Sequence, residues 1–291
     1  MSVAIEIRDL VRVFGKQTVL NGINLDIHEG ETMVIMGGSG CGKSTLLRHL
    51  IGSLKPTSGT IKLFGHDLGT LDDAGLDKVR SYFGILFQSG ALFNSMTIAE
   101  NVALPLREHT ELDGNTIDIM VKIKLEQVGL REHAEKFPSQ ISGGMKKRAG
   151  LARALALDPR ILFYDEPSAG LDPVTSAEID QLMLDLTRKL GVTSVVVTHE
   201  MDSAFTIADR MVMLDKGRAL RVDTRENFDA LRKTSEADAA KLSDTDRLIR
   251  QFLRGDAQGP ITERKAATNY AEDLLNTGNA AARIAAITPS R

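Results

Sequence analysis

A glycine-rich segment with the chemistry to hold phosphate lies in the first fifth of the chain. Residues 37–44 read Gly-Gly-Ser-Gly-Cys-Gly-Lys-Ser and fit the GxxxxGKS/T phosphate loop. Glycines let backbone N–H groups turn inward around phosphate oxygens, and the N-terminus of a following helix adds positive potential. We expect Lys43 to reach the terminal phosphates of a nucleotide and the Ser44 hydroxyl to ligate Mg²⁺. A flexible glycine-rich turn is the alternative, but a buried strand before the loop and a helix after it favour the phosphate loop.

The whole loop is predicted to contact the nucleotide. The predicted nucleotide-binding residues here are Gly37, Gly38, Ser39, Gly40, Cys41, Gly42, Lys43, Ser44 and Thr45. Cys41 is interpreted as a small residue that contributes a backbone amide, in preference to a redox or metal-binding role. Its place in the loop predicts sensitivity to thiol reagents, because bulk added there would occlude the phosphates.

Two adjacent carboxylates follow a second apolar run. Residues 161–164 are Ile-Leu-Phe-Tyr, and Asp165 and Glu166 come next. Adjacent residues on a strand point to opposite sides. We therefore expect Asp165 to reach the Mg²⁺ shell and Glu166 to turn toward an attacking water. Without the phosphate loop, such a pair is usually a solvated strand end.

A second candidate anion site is Ser142-Gly143-Gly144-Met145, which precedes a helical pattern extending to about residue 157. A serine hydroxyl and two glycine amides at a helix start can bind an anion. A simple helix N-cap with a turn explains the same residues equally well. If both phosphate sites are real, one chain carries two of them, which suggests two chains sharing two nucleotides.

The strands that must position these residues are visible in the hydrophobic pattern. Residues 23–27 alternate apolar and polar side chains, which predicts a half-solvated antiparallel strand. Residues 32–36, 161–164 and 194–197 are continuous apolar runs, which are typical of parallel strands buried on both faces. A helical pattern over residues 45–54 follows the first of these runs. The elements therefore predict a parallel α/β core.

The middle of the chain has few strand signals. Residues 97–157 have a helical pattern that we expect to be broken at Pro105, Gly114, Gly129 and Pro138. We interpret this stretch as an inserted helical subdomain.

The C-terminal part begins with a predicted hairpin and continues as helix. The hairpin turns at Lys216 and Gly217, and a helical pattern over residues 228–253 follows it. The last 30 or so residues, rich in Ala, Thr, Gly and Asn, predict a loosely held tail.

Composition limits the classes of partner. The 291 residues are 42% hydrophobic, enough for one or two globular domains, and the net charge of -3 gives no general attraction to nucleic acid. The single cysteine excludes an intramolecular disulfide framework and a cysteine-based zinc site, which favours the cytoplasm. No apolar run approaches the roughly 18 residues that span a bilayer, and the first ten residues lack a secretory signal. Any membrane role is therefore expected to depend on a partner chain.

These motifs, in this order and spacing, resemble the ABC ATPase family over about residues 3–225. The phosphate loop and Asp165-Glu166 resemble its Walker A and Walker B elements. Residues 141–145 resemble its LSGGQ signature. Gln88, after the apolar residues 84–87, resembles the Q-loop glutamine that contacts Mg²⁺ and senses the transport domain.

Three further residues match the family. Asp172, within residues 169–172, resembles the D-loop aspartate, and His199 resembles the switch histidine that contacts the γ-phosphate. Phe14 stands where the family stacks an aromatic ring on adenine. Alone, His199 would more often be a strand-end histidine and Phe14 a core residue.

The resemblance implies a fold and a set of domain boundaries. The expected fold is an α/β phosphate-loop NTPase (RecA-like) core with an antiparallel β subdomain and an inserted α-helical subdomain. The ATPase domain would be residues 1–225, of which 1–88 and 158–225 form the core and 89–157 the helical subdomain, followed by a C-terminal helical extension at 226–261 and a flexible tail at 262–291.

The resemblance also implies a mechanism with ATP and Mg²⁺ as cofactors. Two copies would close head to tail, so that Ser142, Gly143 and Gly144 of one chain meet the γ-phosphate held by Lys43 of the other. The expected catalytic residues are Glu166, His199, Lys43 and Gln88, and the expected Mg²⁺ ligands are Ser44, Gln88 and Asp165.

A narrower resemblance is to ATPases of Mla-type systems, which move phospholipids together with an MCE-domain protein. Met145 in the signature, residues 101–110, and residues 250–253 with 259–261 carry this resemblance. It implies membrane permease partners that dock near residues 89–97, an MCE-type lipid-binding subunit, no nucleic acid, and a peripheral location on the cytoplasmic face of the inner membrane. Leu92, Phe93 and Met96 are the expected exposed docking residues.

Other ABC ATPases would share much of this pattern. An importer ATPase for amino acids or another small solute keeps all the ATP chemistry and differs only in cargo. A DNA-repair ABC ATPase would need a long coiled-coil insertion or zinc-binding cysteines, and a translation-associated one would normally carry two cassettes. A non-catalytic module is disfavoured because Glu166 and His199 are both present.

Overall fold

The computed structural model describes residues 2–262. The chain divides after Phe228 into two compact units. The strands are β1 Val3–Phe14, β2 Gln17–His28, β3 Thr32–Gly37, β4 Ser58–Leu63, β5 His66–Asp67, β6 Phe83–Leu86, β7 Ile161–Asp165, β8 Thr193–Val197, β9 Arg210–Asp215 and β10 Arg218–Thr224. The helices are α1 Lys43–Leu50, α2 Asp73–Arg80, α3 Ile98–His109, α4 Gly114–Gln127, α5 Gly143–Ala154, α6 Pro173–Leu190, α7 Met201–Ile207, α8 Arg225–Lys233, α9 Glu236–Ala239 and α10 Asp244–Arg254.

The central sheet of the first unit has the order β10-β9-β3-β8-β7-β6. The four pairings that join the five strands from β9 to β6 are parallel, and β10 returns antiparallel to β9 as the predicted hairpin. Every residue of β3 and β8 is buried. The prediction that the continuous apolar runs form parallel strands covered on both faces is therefore confirmed.

A second sheet is antiparallel and has the order β2-β1-β4-β5. Ile23, Leu25 and Ile27 of β2 are buried, as their alternation predicts. They belong to one apolar cluster that also contains Val195 and Phe163 from the central sheet. This shared core fixes the antiparallel sheet against one face of the parallel one.

The inserted stretch forms α3, α4 and α5, and one predicted break is wrong. Pro105 lies inside α3, which continues to His109. A capping box between Thr97 and Glu100 starts this helix, and its apolar side chains are buried. Proline costs about 3 kcal/mol within a helix, and burial of this face together with the cap offsets the loss. Gly114 begins α4, Gly129 follows the C-cap of α4 with φ +68°, and Pro138 begins a short 3-10 helix, so those three positions do delimit elements.

Residues 228–253 are largely helical, as predicted, and they are divided into separate helices. The chain forms α8, α9 and α10 there, because Ser235 and Ser243 cap new helices by accepting hydrogen bonds from the N–H groups of Asp238 and Asp246. The tail predicted at residues 262–291 lies outside the described residues except for Thr262. Within residues 2–262, none of the helices has the length and apolar character needed to cross a bilayer.

Candidate active site

The candidate site lies at the carboxyl ends of four adjacent parallel strands. In the register of the sheet, Ile35 of β3 is opposite Val197 of β8, which is opposite Asp165 of β7, and Leu86 of β6 is opposite Tyr164. The loops that follow these strands carry the phosphate loop, His199, Glu166 and Gln88. The fold thus brings four sequence segments, which are far apart in the chain, to one sheet edge.

The phosphate loop joins β3 to α1 and uses its glycines in different ways. A Cβ atom on Gly37 would lie 2.3 Å from the carbonyl oxygen of Leu214, so this position has no room for a side chain. Gly42 has φ +110° and caps α1 without a side chain. The N–H groups of the first turn of α1 are therefore left for another acceptor, which suits a phosphate.

The lysine of the loop is held over it. The Lys43 ammonium donates to the carbonyl oxygens of Gly37 at 2.7 Å and Gly38 at 3.2 Å. Ser44 is exposed one residue further, at the start of α1. A positive charge and a hydroxyl group thus stand beside the loop amides.

Cys41 differs from its neighbours because its side chain points into the core. It is 5% exposed, and burial raises the pKa of its thiol, although the Lys43 charge opposes this. The expected sensitivity to thiol reagents is not supported, since thiolate is the reactive form and the thiol is shielded.

Glu166 adopts a left-handed backbone conformation, with φ +50°. Its N–H donates to Val197 O at 2.9 Å. Its carboxylate lies 2.8 Å from Nδ1 of His199 and accepts the backbone N–H of His199 at 3.3 Å. The turn out of the extended conformation is what aims Glu166 across the end of β8 at His199.

Asp165 ends β7 and is half-buried. Burial raises the pKa of its carboxyl group and the neighbouring Glu166 raises it further, while Lys147, Arg48 and Lys43 lower it. The carboxylate therefore lies among cations, on the same strand end as Glu166.

The signature segment lies at the start of α5. Ser142 is the N-cap, and its Oγ accepts the N–H of Met145 at 3.3 Å. Gly143 is exposed, whereas Gly144 is buried, and a Cβ on Gly144 would lie 2.5 Å from Cγ2 of Thr175 on α6. Within one chain, this segment belongs to the helical insertion and not to the set of strand ends.

A family model described as ABC transporter matches residues 20–169, which is more than half of the chain. The chain belongs to the ABC transporter ATPase family. An ABC ATPase binds ATP with Mg²⁺ and hydrolyses it, and it works as a dimer with membrane permease partners.

Similar proteins cover nearly all of this ABC ATPase. A Mycobacterium leprae protein named "Probable ribonucleotide transport ATP-binding protein mkl" is 42% identical over 96% of this chain and 78% of its own length. The Escherichia coli protein named "Intermembrane phospholipid transport system ATP-binding protein MlaF" is 39% identical over 93% of this chain and 96% of its own.

Solved structures of ABC cassettes share the fold of this ABC ATPase. A dimeric post-hydrolysis state of the cassette MJ0796, bound to ADP and Pi, is 33% identical, covers 76% of this chain and 98% of that chain, and has a TM-score of 0.70. CbiO1 from Clostridium perfringens is 28% identical, covers 86% of this chain and 99% of its own, and has a TM-score of 0.75.

The oxygen donors of this ABC ATPase suit magnesium. Ser44 offers a hydroxyl group, Asp165 a carboxylate and Gln88 an amide oxygen, and Mg²⁺ is usually held by one or two carboxylates together with substrate phosphates. Asp165 is the only carboxylate among the three. This fits a metal ion whose remaining ligands include phosphate oxygens of the nucleotide.

Asp172 and Phe14, which the sequence predicts to contact the nucleotide, lie at a helix N-terminus and at a strand end. The Asp172 carboxylate is the N-cap of α6, and its hydrogen bond from Thr175 lowers its pKa. Phe14 ends β1 with 44% of its surface exposed, and the Arg12 guanidinium lies 4.3 Å from the ring centroid. Nucleotide contacts by these two residues stay predictions.

Two contacts of the site were not predicted from the sequence. Gly217, in the β9–β10 turn, donates its N–H to the carbonyl of Cys41 at 3.0 Å and so supports the phosphate loop. Lys147 donates to the carbonyl of Glu166 at 3.0 Å. The Lys-Gly turn signal was visible, but its contact with the loop depends on the pairing of β9 with β3 in the central sheet.

Proposed function

We propose that this ABC ATPase energises the movement of phospholipids or related apolar molecules through a membrane permease. The MlaF proteins of Escherichia coli and Haemophilus influenzae, both named for intermembrane phospholipid transport, align with 93% of the chain. The signature residue Met145 and the C-terminal residues 250–253 support the same assignment.

The site residues act in a head-to-tail dimer under this proposal. Ser142, Gly143 and Gly144 begin α5, outside the strand ends that carry Lys43, Glu166 and His199. This arrangement leaves the signature for the nucleotide of a second copy. The dimeric state of the MJ0796 cassette supports such a pairing.

The observation that carries the catalytic proposal is the contact between Glu166 and His199 at the strand ends, 2.8 Å long. Glu166 accepts a proton from the attacking water, and His199 orients that carboxylate while facing the γ-phosphate. Lys43 and the loop amides bind the β- and γ-phosphates, and positioning and charge supply most of the rate. Mg²⁺, when held by Ser44, Asp165 and Gln88, neutralises charge on the phosphate oxygens. Phe14 stacks on adenine, and Asp172 contributes from the D-loop.

The permease docks on residues 89–97 in this proposal. Phe93 is 50% exposed there, whereas Leu92 and Met96 are half-buried, so the exposed apolar set is narrower than the sequence predicted. Phe87, at 38% exposure, extends it toward Gln88. An MCE-type lipid-binding subunit completes the system, and the ATPase is held on the cytoplasmic face of the inner membrane.

A small-solute importer is the second candidate, because the relative from Mycobacterium leprae is named for ribonucleotide transport. The ATP chemistry is the same in both cases. The two candidates are distinguished by purifying the chain with its co-expressed permease and identifying the bound molecules by mass spectrometry. Bound phospholipid supports the proposal, and a bound ribonucleotide other than ATP or ADP contradicts it.

The catalytic assignment is tested with Glu166→Gln, which keeps the shape but removes the base. We expect kcat to fall at least about 100-fold while ATP binding is unchanged. ATP binding is measured with a fluorescent nucleotide and turnover by phosphate release. Turnover close to that of the unsubstituted protein would refute the role of Glu166.

A further inference from the structure

Lys147 is a buried lysine on α5, five residues after the signature serine Ser142 that caps the start of this helix. It is 5% exposed. Its ammonium donates to the main-chain carbonyl of Glu166 at 3.0 Å. Burial of an ammonium costs free energy unless it is hydrogen-bonded and close to opposite charge, and here it has both, since Asp165, Glu166 and Glu200 act on it electrostatically.

The carbonyl that Lys147 holds belongs to a residue in an unfavourable backbone conformation. At φ +50°, Glu166 lies in the left-handed region, which L-residues occupy when their surroundings impose it. Three hydrogen bonds to the main chain of Glu166 hold it here: Glu166 N–H to Val197 O at 2.9 Å, Ala169 N–H to Glu166 O at 3.3 Å, and the bond from the Lys147 ammonium to Glu166 O. Of the three partners, only Lys147 comes from the helical insertion.

This conformation also decides where the carboxylate points. Asp165, one residue earlier, is still in β7, and the left-handed turn redirects Glu166 toward Nδ1 of His199. A shift of the Glu166 carbonyl would therefore move the carboxylate away from the place where the water is deprotonated.

We infer that Lys147 is a positioning residue for ATP hydrolysis, which holds the Glu166 backbone from α5 and so keeps the Glu166 carboxylate aligned with His199. This inference rests on the proposed role of Glu166 as the base. Because α5 begins at Ser142, the same hydrogen bond connects the signature end of the helical insertion to the base of the same chain. The signature and the base are thereby joined by one helix and one hydrogen bond.

Lys147→Met tests this, because methionine is similar in length and cannot donate a hydrogen bond. We expect kcat to fall about 10- to 100-fold, as for small misplacements of catalytic groups, with KM and the affinity for ATP unchanged. Lys147→Arg keeps a charged donor and is expected to recover most of kcat. If Lys147→Met does not fold, Lys147→Gln replaces it, since its amide ends one atom short of the lysine ammonium.

Lys124→Met is the matched control. Lys124 is the other buried lysine of the described chain, at 4% exposure, and it pairs with Asp158. Losing a buried ammonium there is expected to change stability but not kcat. If kcat falls as much in Lys124→Met as in Lys147→Met, the loss comes from disturbing the helical insertion in general. That result would overturn the inference.

A double-substitution cycle separates this inference from the catalytic proposal. If Lys147 acts through the Glu166 carboxylate, Lys147→Met will leave the residual turnover of Glu166→Gln unchanged. Additive losses, or normal kcat in Lys147→Met alone, would overturn the inference while leaving the role of Glu166 intact. Full turnover in Glu166→Gln would instead overturn the catalytic proposal itself.

Discussion

Neighbouring residues of the phosphate loop have different chemistry because they have different surroundings. Lys43 is half-buried and its ammonium lies over the loop, whereas Cys41 packs its thiol into the core beside Gly37. The motif specifies which backbone amides and which ammonium group can bind phosphate. The packing of the loop against β9 specifies which side chain is reactive.

Cys41 is expected to react slowly in the native protein. Burial raises the pKa of its thiol, so at mildly alkaline pH less of it is thiolate than in the unfolded chain, and reagent access needs local opening. Alkylation by iodoacetamide, followed by mass spectrometry, should be at least about 10-fold slower than in denaturing urea. Equal rates in both states would show that the loop exposes the thiol.

The β9–β10 hairpin supports the site through its backbone, although none of its side chains is assigned a role in ATP binding or hydrolysis. Lys216 and Gly217 both have positive φ, at +47° and +76°, as a tight two-residue turn requires. The Gly217 N–H supports the phosphate loop at Cys41, and its carbonyl accepts the N–H of Asn21 on β2 at 2.8 Å. This turn therefore links both sheets to the loop.

Gly217→Ala should destabilise the protein and weaken ATP binding. A Cβ there would lie 2.3 Å from Val19 O, so the turn or β2 must shift, and the hydrogen bond from the Gly217 N–H to Cys41 O is expected to weaken. Gly30→Ala is the matched control, because Gly30 has φ +77° with open space around its Cβ position. Urea unfolding should show an additional loss of about 1–3 kcal/mol for Gly217→Ala over Gly30→Ala. Equal losses in the two variants would mean that backbone strain alone matters.

The segment proposed to dock the permease is also held by an element. Asn101, fully buried on α3, donates from Nδ2 to Phe93 O at 3.1 Å and accepts the Phe93 N–H at 2.8 Å. The Phe93 backbone is thereby fixed to the helical insertion. Movement of this segment by a docked partner is therefore expected to move α3 as well.

At the scale of the whole transporter, the ATPase is proposed to contribute a docking surface for the permease as well as the ATP site. Phe93→Asp places a charge in the proposed docking surface and should abolish co-purification with the permease while leaving ATP binding unchanged. Ile119→Asp is the control, because Ile119 on α4 is exposed to a similar degree, 58% against 50%. Retained assembly of Phe93→Asp would argue against docking on residues 89–97.

Patterns in the amino-acid sequence were enough to predict the fold class and the family. Continuous apolar runs before polar residues predict parallel strands with functional ends, because a strand buried on both faces has no polar positions until it leaves the sheet. The motifs and their order carried the family assignment, which the match over residues 20–169 shows. Local breaks were less predictable: Pro105 did not end α3, since burial of its apolar face offsets the missing N–H.

The contacts that hold the candidate site in place depend on tertiary packing. The left-handed turn at Glu166, the Lys147 hydrogen bond to its carbonyl and the contact of Gly217 with the phosphate loop join residues that are far apart in the chain or on separate elements. A sequence pattern reports which side chains a segment buries, through its own periodicity. It does not report which distant backbone group a buried lysine or a turn amide will meet, because that depends on how whole elements pack together.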